Sequence, residues 1–236
     1  MKAIIMAGGK GTRLRPLTDS LPKPMVPLIG RPVLEYTLEL LKKNGVTDVV
    51  ITLGFMPEKI TDHLGDGSRY GMNITYYTEK EPLGTAGGVK QAEKELDGTF
   101  LVLSGDAYTE VDLAKAIDFH KAKNSPFTLI AQPHPYPEGL GTLEIDFENR
   151  ITDFIEKPTI VKPALVNTGI YVMEKEILRM IPAAPYDFGK QLLPRLVGRC
   201  YACVDYAYWS DIGTLSSYYE TNKYLAKNYV EEACRL

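Results

Sequence analysis

A glycine-rich loop near the amino terminus carries the strongest chemical signal in the sequence. Residues 2–6 are mostly apolar and typical of a short buried strand, and they lead directly into Ala-Gly-Gly-Lys-Gly-Thr-Arg-Leu-Arg-Pro-Leu-Thr at 7–18. Three glycines in four positions let backbone N–H groups turn toward one point and attract an anion, and Arg13 and Lys23 add positive charge. The segment lacks the Gly-Lys-Ser/Thr ending of a P-loop and the third glycine of a dinucleotide fingerprint. It therefore predicts a phosphate-binding loop of a different kind.

Asp106 is the second feature with chemical potential. It follows an apolar stretch, residues 99–103, that is typical of a buried strand. Ligands of open parallel sheets bind beyond the carboxyl ends of the strands, so an acid at this place is well positioned for a site. The alternative for Asp106 alone is a turn residue or a helix cap.

The elements that would position these residues alternate between strand and helix. In the first half of the chain we predict strand 2–6, helix 32–44, strand 48–53, helix 57–64, strand 73–77, helix 84–96 and strand 99–103. This alternation is typical of an α/β fold with a Rossmann-like, mainly parallel central sheet that has helices on both faces.

The second half of the chain changes from crossovers to hairpins. There we predict helix 112–123, strands 127–132, 142–146, 151–156 and 164–173, helices 174–181 and 187–197, strand 201–206 and helix 215–228. The turn-like Glu148-Asn149 joins two of the short strands, which predicts a small β-hairpin subregion. Residues 133–139 are the most loop-like stretch, and proline there suits a loop over a site.

The loop at 8–24 resembles the signature of the sugar-phosphate nucleotidyltransferases, Gly-Gly-x-Gly-Thr-Arg-Leu-x-Pro-Leu-Thr followed by Pro-Lys-Pro. The match is complete, and the resemblance extends over residues 1–225. It implies the nucleotide-diphospho-sugar transferase fold and one catalytic domain over 1–236, in which 1–110 mainly bind the nucleotide and 111–225 the sugar phosphate. We expect no counterpart of the family's optional C-terminal β-helix.

The resemblance also implies the nucleotide contacts. The positions that match are Ala7, Gly8, Gly9, Gly11, Thr12, Arg13, Lys23, Pro82, Gly84, Thr85 and Gly105. The segment 81–87, Glu-Pro-Leu-Gly-Thr-Ala-Gly, is similar to guanylyltransferases that use mannose-1-phosphate, and it also occurs in relatives that use other bases. Its small residues and the N-terminus of the following helix would let the edge of the base reach backbone groups.

Magnesium is the cofactor that the resemblance implies. Asp106 matches a family metal ligand, and Mg²⁺ prefers one or two carboxylates together with phosphates and water. A second carboxylate is therefore expected, and Tyr-Trp-Ser-Asp-Ile-Gly-Thr at 208–214 resembles the Trp-x-Asp-x-Gly segment that supplies it. Asp211 is the ligand implied, with a cap for the helix that follows as its alternative.

Two further segments resemble sugar-phosphate contacts of the family. Phe-Ile-Glu-Lys-Pro at 154–158 matches an element in which Glu156 accepts hydrogen bonds from sugar hydroxyls and Lys157 neutralises the phosphate, with a surface ion pair between them as the alternative. Asn167, in Asn-Thr-Gly, is placed to bind the sugar. Gly141 is a weaker match, because the family often has an aromatic residue where this chain has Leu140.

The reaction implied is attack of a sugar-1-phosphate oxygen on the α-phosphorus of a nucleoside triphosphate, with pyrophosphate leaving. Such a reaction requires positioning and charge neutralisation, for which Arg13, Lys23, Asp106 and Lys157 are the catalytic candidates. No general base is needed, and we interpret His63, His120 and His134 as surface or structural residues. The favoured pair is GTP and mannose-1-phosphate.

Two alternatives stay open at this stage. The first is a uridylyl-, thymidylyl- or cytidylyltransferase that acts on a glucose, amino-sugar or heptose phosphate. The second is a non-catalytic sugar-nucleotide sensor, which loss of a metal acid or a phosphate cation would favour. All the cations and acids named above are present.

Composition excludes several classes of function. The chain has 236 residues, 44% of them hydrophobic and 24% charged, with a net charge of −3, so it offers no basic field for nucleic acid or an anionic membrane. No apolar run reaches the length of a membrane helix, and we expect a cytoplasmic protein. Cys200 and Cys203 are interpreted as reduced cysteines of a strand, with a zinc or redox site as the alternative. The tyrosine-rich carboxyl-terminal part is expected to cover the core or to form a homo-oligomer contact.

Overall fold

The strands and helices of the computed structural model follow the predicted alternation. The structure describes residues 1–183 and 185–233. In chain order the strands are β1 (Lys2–Ala7), β2 (Pro27–Leu28), β3 (Arg31–Pro32), β4 (Asp48–Leu53), β5 (Asn73–Thr78), β6 (Thr99–Ser104), β7 (Ala107–Thr109), β8 (Phe127–His134), β9 (Thr142–Ile145), β10 (Ile151–Ile155), β11 (Ala164–Glu174), β12 (Tyr201–Val204) and β13 (Trp209–Asp211). The helices are α1 (Val33–Lys43), α2 (Pro57–Leu64), α3 (Gly84–Gln91), α4 (Leu113–Ala122), α5 (Leu193–Leu196) and α6 (Leu215–Ala233).

The central sheet has the strand order β5-β4-β1-β6-β11-β8-β12, and β9 and β10 continue from the first half of β11. The pairs β1–β4, β4–β5, β1–β6 and β8–β12 are parallel, whereas β11 runs antiparallel to β6 and β8. β9 and β10 pair antiparallel as a hairpin. The predicted α/β fold, with its mostly parallel sheet and small hairpin, is confirmed.

Both faces of the sheet are covered by apolar side chains from helices. On one face α1, α2 and α4 pack against the strands, and on the other face α3 and α5 do so. In β1, Ala3 and Ile5 face the first layer and Ile4 the second, and all three are fully buried. A strand that is buried on both sides needs an unbroken apolar run, which explains why this stretch was predicted correctly. None of the described helices is both long and apolar enough to cross a bilayer.

Several helical predictions differ from the structure at their ends. The helix predicted over 84–96 ends at Gln91 and is followed by a 3₁₀ turn, Glu93–Glu95, and the segment predicted over 174–181 is also a 3₁₀ turn. The segment predicted over 187–197 begins as a π-helical turn, Phe188–Leu192, before α5. Pro194 has no N–H with which to close an α-helical bond to residue 190.

Three differences concern strands. The strand predicted to reach residue 206 ends at Val204, because the Asp205 carboxylate accepts the N–H of Ala207 at 2.8 Å and turns the chain. The loop predicted from residue 133 begins after His134. The short strands β2, β3, β7 and β13 were not predicted; β2 pairs with β3, and β7 pairs with β13.

The described cysteines are buried, and the tyrosines of the carboxyl-terminal part are partly buried or exposed. Cys200 and Cys203 are free and buried, and burial raises the pKa of the Cys200 thiol to about 12. Cys234 lies outside the described residues. Of the tyrosines in the carboxyl-terminal part, three pack partly buried around α6, namely Tyr208, Tyr218 and Tyr224. Three others are exposed, namely Tyr206, Tyr219 and Tyr229.

Candidate active site

The glycine-rich loop after β1 folds back onto the segment that carries Lys23. Gly11 has φ +61, and a Cβ added there would lie 3.0 Å from both Lys23 Cβ and Thr18 Cγ2. The Thr18 hydroxyl donates to the Gly11 carbonyl at 2.8 Å, and Leu14 is fully buried. Only glycine fits this backbone conformation in so little space. The missing side chain at position 11 therefore lets the loop pack closely against Lys23.

The opposite part of the loop is open. A Cβ added at Gly9 would meet no atom within 4 Å, and Gly9 and Thr12 are exposed. Ala7 is buried at the end of β1, and the Gly105 N–H donates to the Met6 carbonyl at 2.9 Å. The loop therefore exposes its main chain to solvent, while the end of the loop next to β1 is fixed to the sheet.

Lys23, Asp106 and Asp211 form the charged centre of the site. Lys23 Nζ lies 2.7 Å from Asp106 Oδ2 and 2.7 Å from Asp211 Oδ1, and the Lys23 side chain is only 8% exposed. Two carboxylates that share one cation are close enough to chelate another. Among the described residues no group of three or more His, Cys, Asp or Glu side chains could hold a metal ion, and Asp106 and Asp211 form a carboxylate pair on one cation.

The local fold brings the two acids together. Asp106 lies between β6 and β7, and Asp211 lies in β13, which pairs with β7 so that Ala107 is opposite Asp211. The Ser104 hydroxyl donates to Asp106. The Trp209 indole N–H donates to the Thr168 carbonyl at 3.1 Å, which fastens β13 to β11.

The electrostatics of the three groups follow from burial and mutual contact. Burial by itself would lower the pKa of Lys23, but the charges of Asp106 and Asp211 outweigh it and leave that pKa raised. Burial favours the neutral form of Asp106, yet the Lys23 ammonium outweighs burial, and the pKa of Asp106 is lowered. Burial raises the pKa of Asp211, Lys23 opposes this effect, and the neighbouring charge of Asp106 adds to it. The site therefore holds Lys23 as a cation.

Arg13 stands beside Asp211 at the mouth of a small cavity of about 180 Å³. A Cβ added at Gly213 would lie 3.1 Å from Arg13 Nη2. The loop after β8 lines the same cavity, and a Cβ added at Gly139 would lie 3.7 Å from Arg13 Nη1. His134, predicted to be a surface or structural residue, lines this cavity as well, where its Nδ1 accepts the Tyr136 N–H at 3.1 Å and burial lowers its pKa.

The other two histidines form hydrogen bonds with side chains outside this cavity. His63 contacts Glu35 at 2.7 Å, and the buried His120 contacts Thr128 and Glu174.

Three of the four predicted sugar-phosphate residues lie together. The Asn167 N–H donates to the Gly141 carbonyl at 2.9 Å, and a Cβ added at Gly141 would lie 2.8 Å from Glu156 Oε2. The Asn167 side-chain amide donates to the Tyr171 hydroxyl at 3.0 Å. Lys157 is exposed, has φ +53 and forms no ion pair with Glu156 within the part of the chain that the structure describes.

The segment predicted to select the base makes contacts within the protein. The Thr85 N–H and hydroxyl both point to Asp187 Oδ1, at 3.2 and 3.3 Å, and a Cβ at Gly84 would lie 2.7 Å from the Tyr186 carbonyl oxygen. Pro82 is exposed. The polar groups at the start of α3 therefore form hydrogen bonds and close contacts with residues 186–187. No local sequence pattern predicted this contact.

Glu79 was missed by the sequence analysis. It directly follows β5, as Asp106 follows β6, so the same rule about acids at strand ends could have found it. Its Oε2 accepts the Leu83 N–H at 3.1 Å, and Oε1 would lie 3.4 Å from a Cβ at Gly8 and 2.7 Å from a Cβ at Gly88. Burial raises its pKa, against the opposing effect of the Leu83 hydrogen bond. A carboxylate thus lies against the glycine-rich loop on the side away from Asp106.

This chain matches only part of the length of the curated proteins that are similar to it. A uridylyltransferase, named UTP--glucose-1-phosphate uridylyltransferase, from Synechocystis is 37% identical over 241 residues, which cover 93% of this chain and 62% of the relative. A mannose-1-phosphate guanylyltransferase from Mycobacterium tuberculosis is 37% identical over 218 residues, covering 90% of this chain and 61% of the relative. The chain thus spans about 60% of the length of these relatives.

A solved structure and a family model agree with these relatives. HddC from Yersinia pseudotuberculosis superposes with a TM-score of 0.84 at 31% identity, covering 95% of this chain and 99% of that one. A second structure of HddC, complexed with GMP-PN, gives a TM-score of 0.83 at 30% identity, covering 95% of this chain and 99% of that one. The model of the family described as "Nucleotidyl transferase" matches residues 2–228. A match over nearly the whole chain, on a fold with the same topology, shows that this chain belongs to the nucleotidyl transferase family.

Proposed function

We propose that this chain joins a nucleoside triphosphate to a sugar-1-phosphate and releases pyrophosphate, with GTP and mannose-1-phosphate as the favoured pair. The observation that carries this proposal is the centre of Lys23, Asp106 and Asp211 beneath an open glycine-rich loop. It combines an anion-binding main chain with a cation and a cation-binding carboxylate pair. A phosphate chain and its metal ion need all of these groups together.

The chemistry requires positioning and electrostatic stabilisation more than covalent participation. A phosphate oxygen of the sugar-1-phosphate is already an anion, so it attacks without a general base, and charge develops on oxygens around the α-phosphorus. Arg13 would hold the β- and γ-phosphates, Lys23 would stabilise the charge at the α-phosphate, and Lys157 would orient the attacking phosphate. The exposure of Arg13 and Lys157 leaves both side chains free to reach a ligand.

Asp106 and Asp211 fit a magnesium ion. Hard oxygen ligands at two positions, completed by phosphate oxygens and water, are what Mg²⁺ takes in nucleotide sites, and these two carboxylates already share one cation. When bound, the ion would neutralise phosphate charge and align the two substrates. Lys23 contacts the same carboxylate oxygens, so its ammonium supplies the positive charge of the centre in this structure.

Guanine is favoured by the chemistry of Glu79. The Watson–Crick edge of guanine presents two adjacent donors, N1–H and N2–H, and a carboxylate is an acceptor at both oxygens. Uracil presents one donor between two acceptors, which suits an amide better. The guanylyltransferase from Mycobacterium tuberculosis and the HddC complex with GMP-PN agree with this assignment.

The uridylyltransferase from Synechocystis, at the same 37% identity, keeps UTP and glucose-1-phosphate as the second candidate pair. A sensor without activity is disfavoured, because the two acids and the lysine of the centre are all present and in contact. The cytoplasmic location, the single-domain division and the homo-oligomer expected from the sequence stay predictions.

The function is tested by pyrophosphate release in the presence of Mg²⁺. GTP, UTP, dTTP, CTP and ATP are each combined with mannose-, glucose- and N-acetylamino-sugar-1-phosphates. We expect the highest kcat/KM for GTP with mannose-1-phosphate. A preference for UTP and glucose-1-phosphate would select the second candidate pair, and absence of release from every combination would contradict the proposed reaction.

Asp106→Asn is expected to reduce kcat at least about 100-fold, because loss of one charge stabiliser at a reacting phosphate has effects of this size. The amide is nearly isosteric, so circular dichroism should show a preserved fold. Asp118→Asn, at an exposed position of α4, serves as the control and should leave the rate unchanged. An Asp106→Asn enzyme with the wild-type rate would remove Asp106 from the metal site.

Lys157→Ala is expected to raise KM for the sugar-1-phosphate about tenfold or more while KM for the nucleotide changes less than about twofold, since a charged hydrogen bond contributes about 1.5–3 kcal/mol. Steady-state kinetics with each substrate varied in turn measures both constants. The exposed Lys162→Ala is the matched control. Equal effects on the two constants would remove Lys157 from the sugar side.

Glu79→Gln is expected to abolish discrimination between GTP and ITP, whose base lacks the N2 amino group. In the wild type we expect kcat/KM for GTP to exceed that for ITP by about 10-fold or more, since a bidentate base contact contributes about 1–3 kcal/mol. Glu81→Gln, exposed and two residues away, is the control. A GTP-to-ITP ratio that Glu79→Gln leaves unchanged would show that Glu79 does not contact the base.

A further inference from the structure

Gly189 lies directly against the carboxylate of Glu156. A Cβ added at Gly189 would lie 2.3 Å from Glu156 Oε2 and 2.7 Å from its Cδ. On another side of the same group, a Cβ at Gly141 would lie 2.8 Å from Oε2. The carboxylate is thus held between the main chains of two glycines that are far apart in sequence, and a side chain at position 189 would displace it.

The position of Gly189 is set on one side by the apolar core. Its neighbour Phe188 is buried and packs on Tyr171, with ring centroids 4.8 Å apart, and the Tyr171 hydroxyl accepts the side-chain amide of Asn167. Gly189 is in the π-helical turn Phe188–Leu192, a rare geometry that is frequent at functional sites. Tyr171 therefore contacts both this turn and Asn167, one of the predicted sugar-binding residues.

On its other side the same segment is fastened to the start of α3. The Tyr186 carbonyl accepts the N–H groups of Ala86 and Gly87, both at 2.9 Å. The Phe188 N–H donates to the Thr85 hydroxyl at 2.9 Å, and Asp187 accepts from Thr85. These bonds leave little freedom for Gly189 to move away from Glu156.

We propose that Gly189 is a positioning residue for the sugar, because its missing side chain fixes where the Glu156 carboxylate accepts hydrogen bonds from the hydroxyls of a sugar-1-phosphate. The inference rests on the proposed function and adds a residue to it. An ionised carboxylate only accepts hydrogen bonds, so its location decides which hydroxyl of the ring it reaches. Misplacement of a binding group by about 1 Å can cost about 100-fold in activity.

The test is Gly189→Ala, with Lys190→Ala as the control because Lys190 is in the same turn with its side chain 67% exposed. The backbone of Gly189 is outside the left-handed region, so alanine brings a clash with Glu156 and no strain in φ. We expect KM for the sugar-1-phosphate to rise about 10- to 100-fold, KM for the nucleotide to change less than about twofold, and Lys190→Ala to match the wild type.

A second arm separates positioning from packing. Glu156→Asp shortens the side chain and makes room for a methyl group, so in this background Gly189→Ala should raise KM for the sugar-1-phosphate less than about threefold. An undiminished effect in the Glu156→Asp background, or equal increases in the two KM values, would overturn the role of Gly189. Wild-type activity in the same assay would leave the proposed function standing in either case.

Thermal unfolding of each variant shows whether the variant is folded before its KM values are compared. If Gly189→Ala unfolds while the double variant with Glu156→Asp folds, the double variant decides: a KM for the sugar-1-phosphate within about threefold of that of Glu156→Asp alone supports the proposal, and a larger increase overturns it. If both chains unfold, position 189 serves the fold alone and the proposal is overturned. A wild-type chain without pyrophosphate release from any pair would contradict the proposed function instead.

Discussion

The ammonium of Lys23 between Asp106 and Asp211 is the interaction on which the site depends. It joins positions that are 83 and 188 residues apart in sequence, and its positive charge offsets part of the repulsion between the two acids. Removing Lys23 would leave these partly buried acids without their cation, which is strongly destabilising.

The topology of the sheet explains where these groups lie. β1 lies between β4 and β6, so the chain runs outward to β5 on one side and continues from β6 on the other. A crevice forms at such a switch of direction, and the loop after β1 lies in it. Glu79 directly follows β5 and Asp106 comes two residues after β6, which places one acid on each side of the loop.

Glycines serve different physical purposes around this crevice. Gly9 faces open space where a ligand can approach the main chain, whereas Gly84 has no side chain because Tyr186 lies against it. Gly141 and Gly189 make room for a carboxylate of the same chain. A glycine-rich stretch in a sequence therefore identifies close approach, and only the structure shows whether the approaching group is a ligand or another part of the protein.

The sequence by itself determined the order of the longer strands and helices, the glycine-rich loop after β1 and the acid after β6, because each is encoded by consecutive residues. It did not predict β7 and β13, which are too short for a periodic pattern and are stable only as partners, nor the π-helical turn at Phe188–Leu192. The contacts of Lys23 with both acids, of Glu79 with the loop and of Gly189 with Glu156 were decided by the tertiary structure. Each joins segments that are distant in sequence, and their geometry exists only after the sheet has brought the strand ends together.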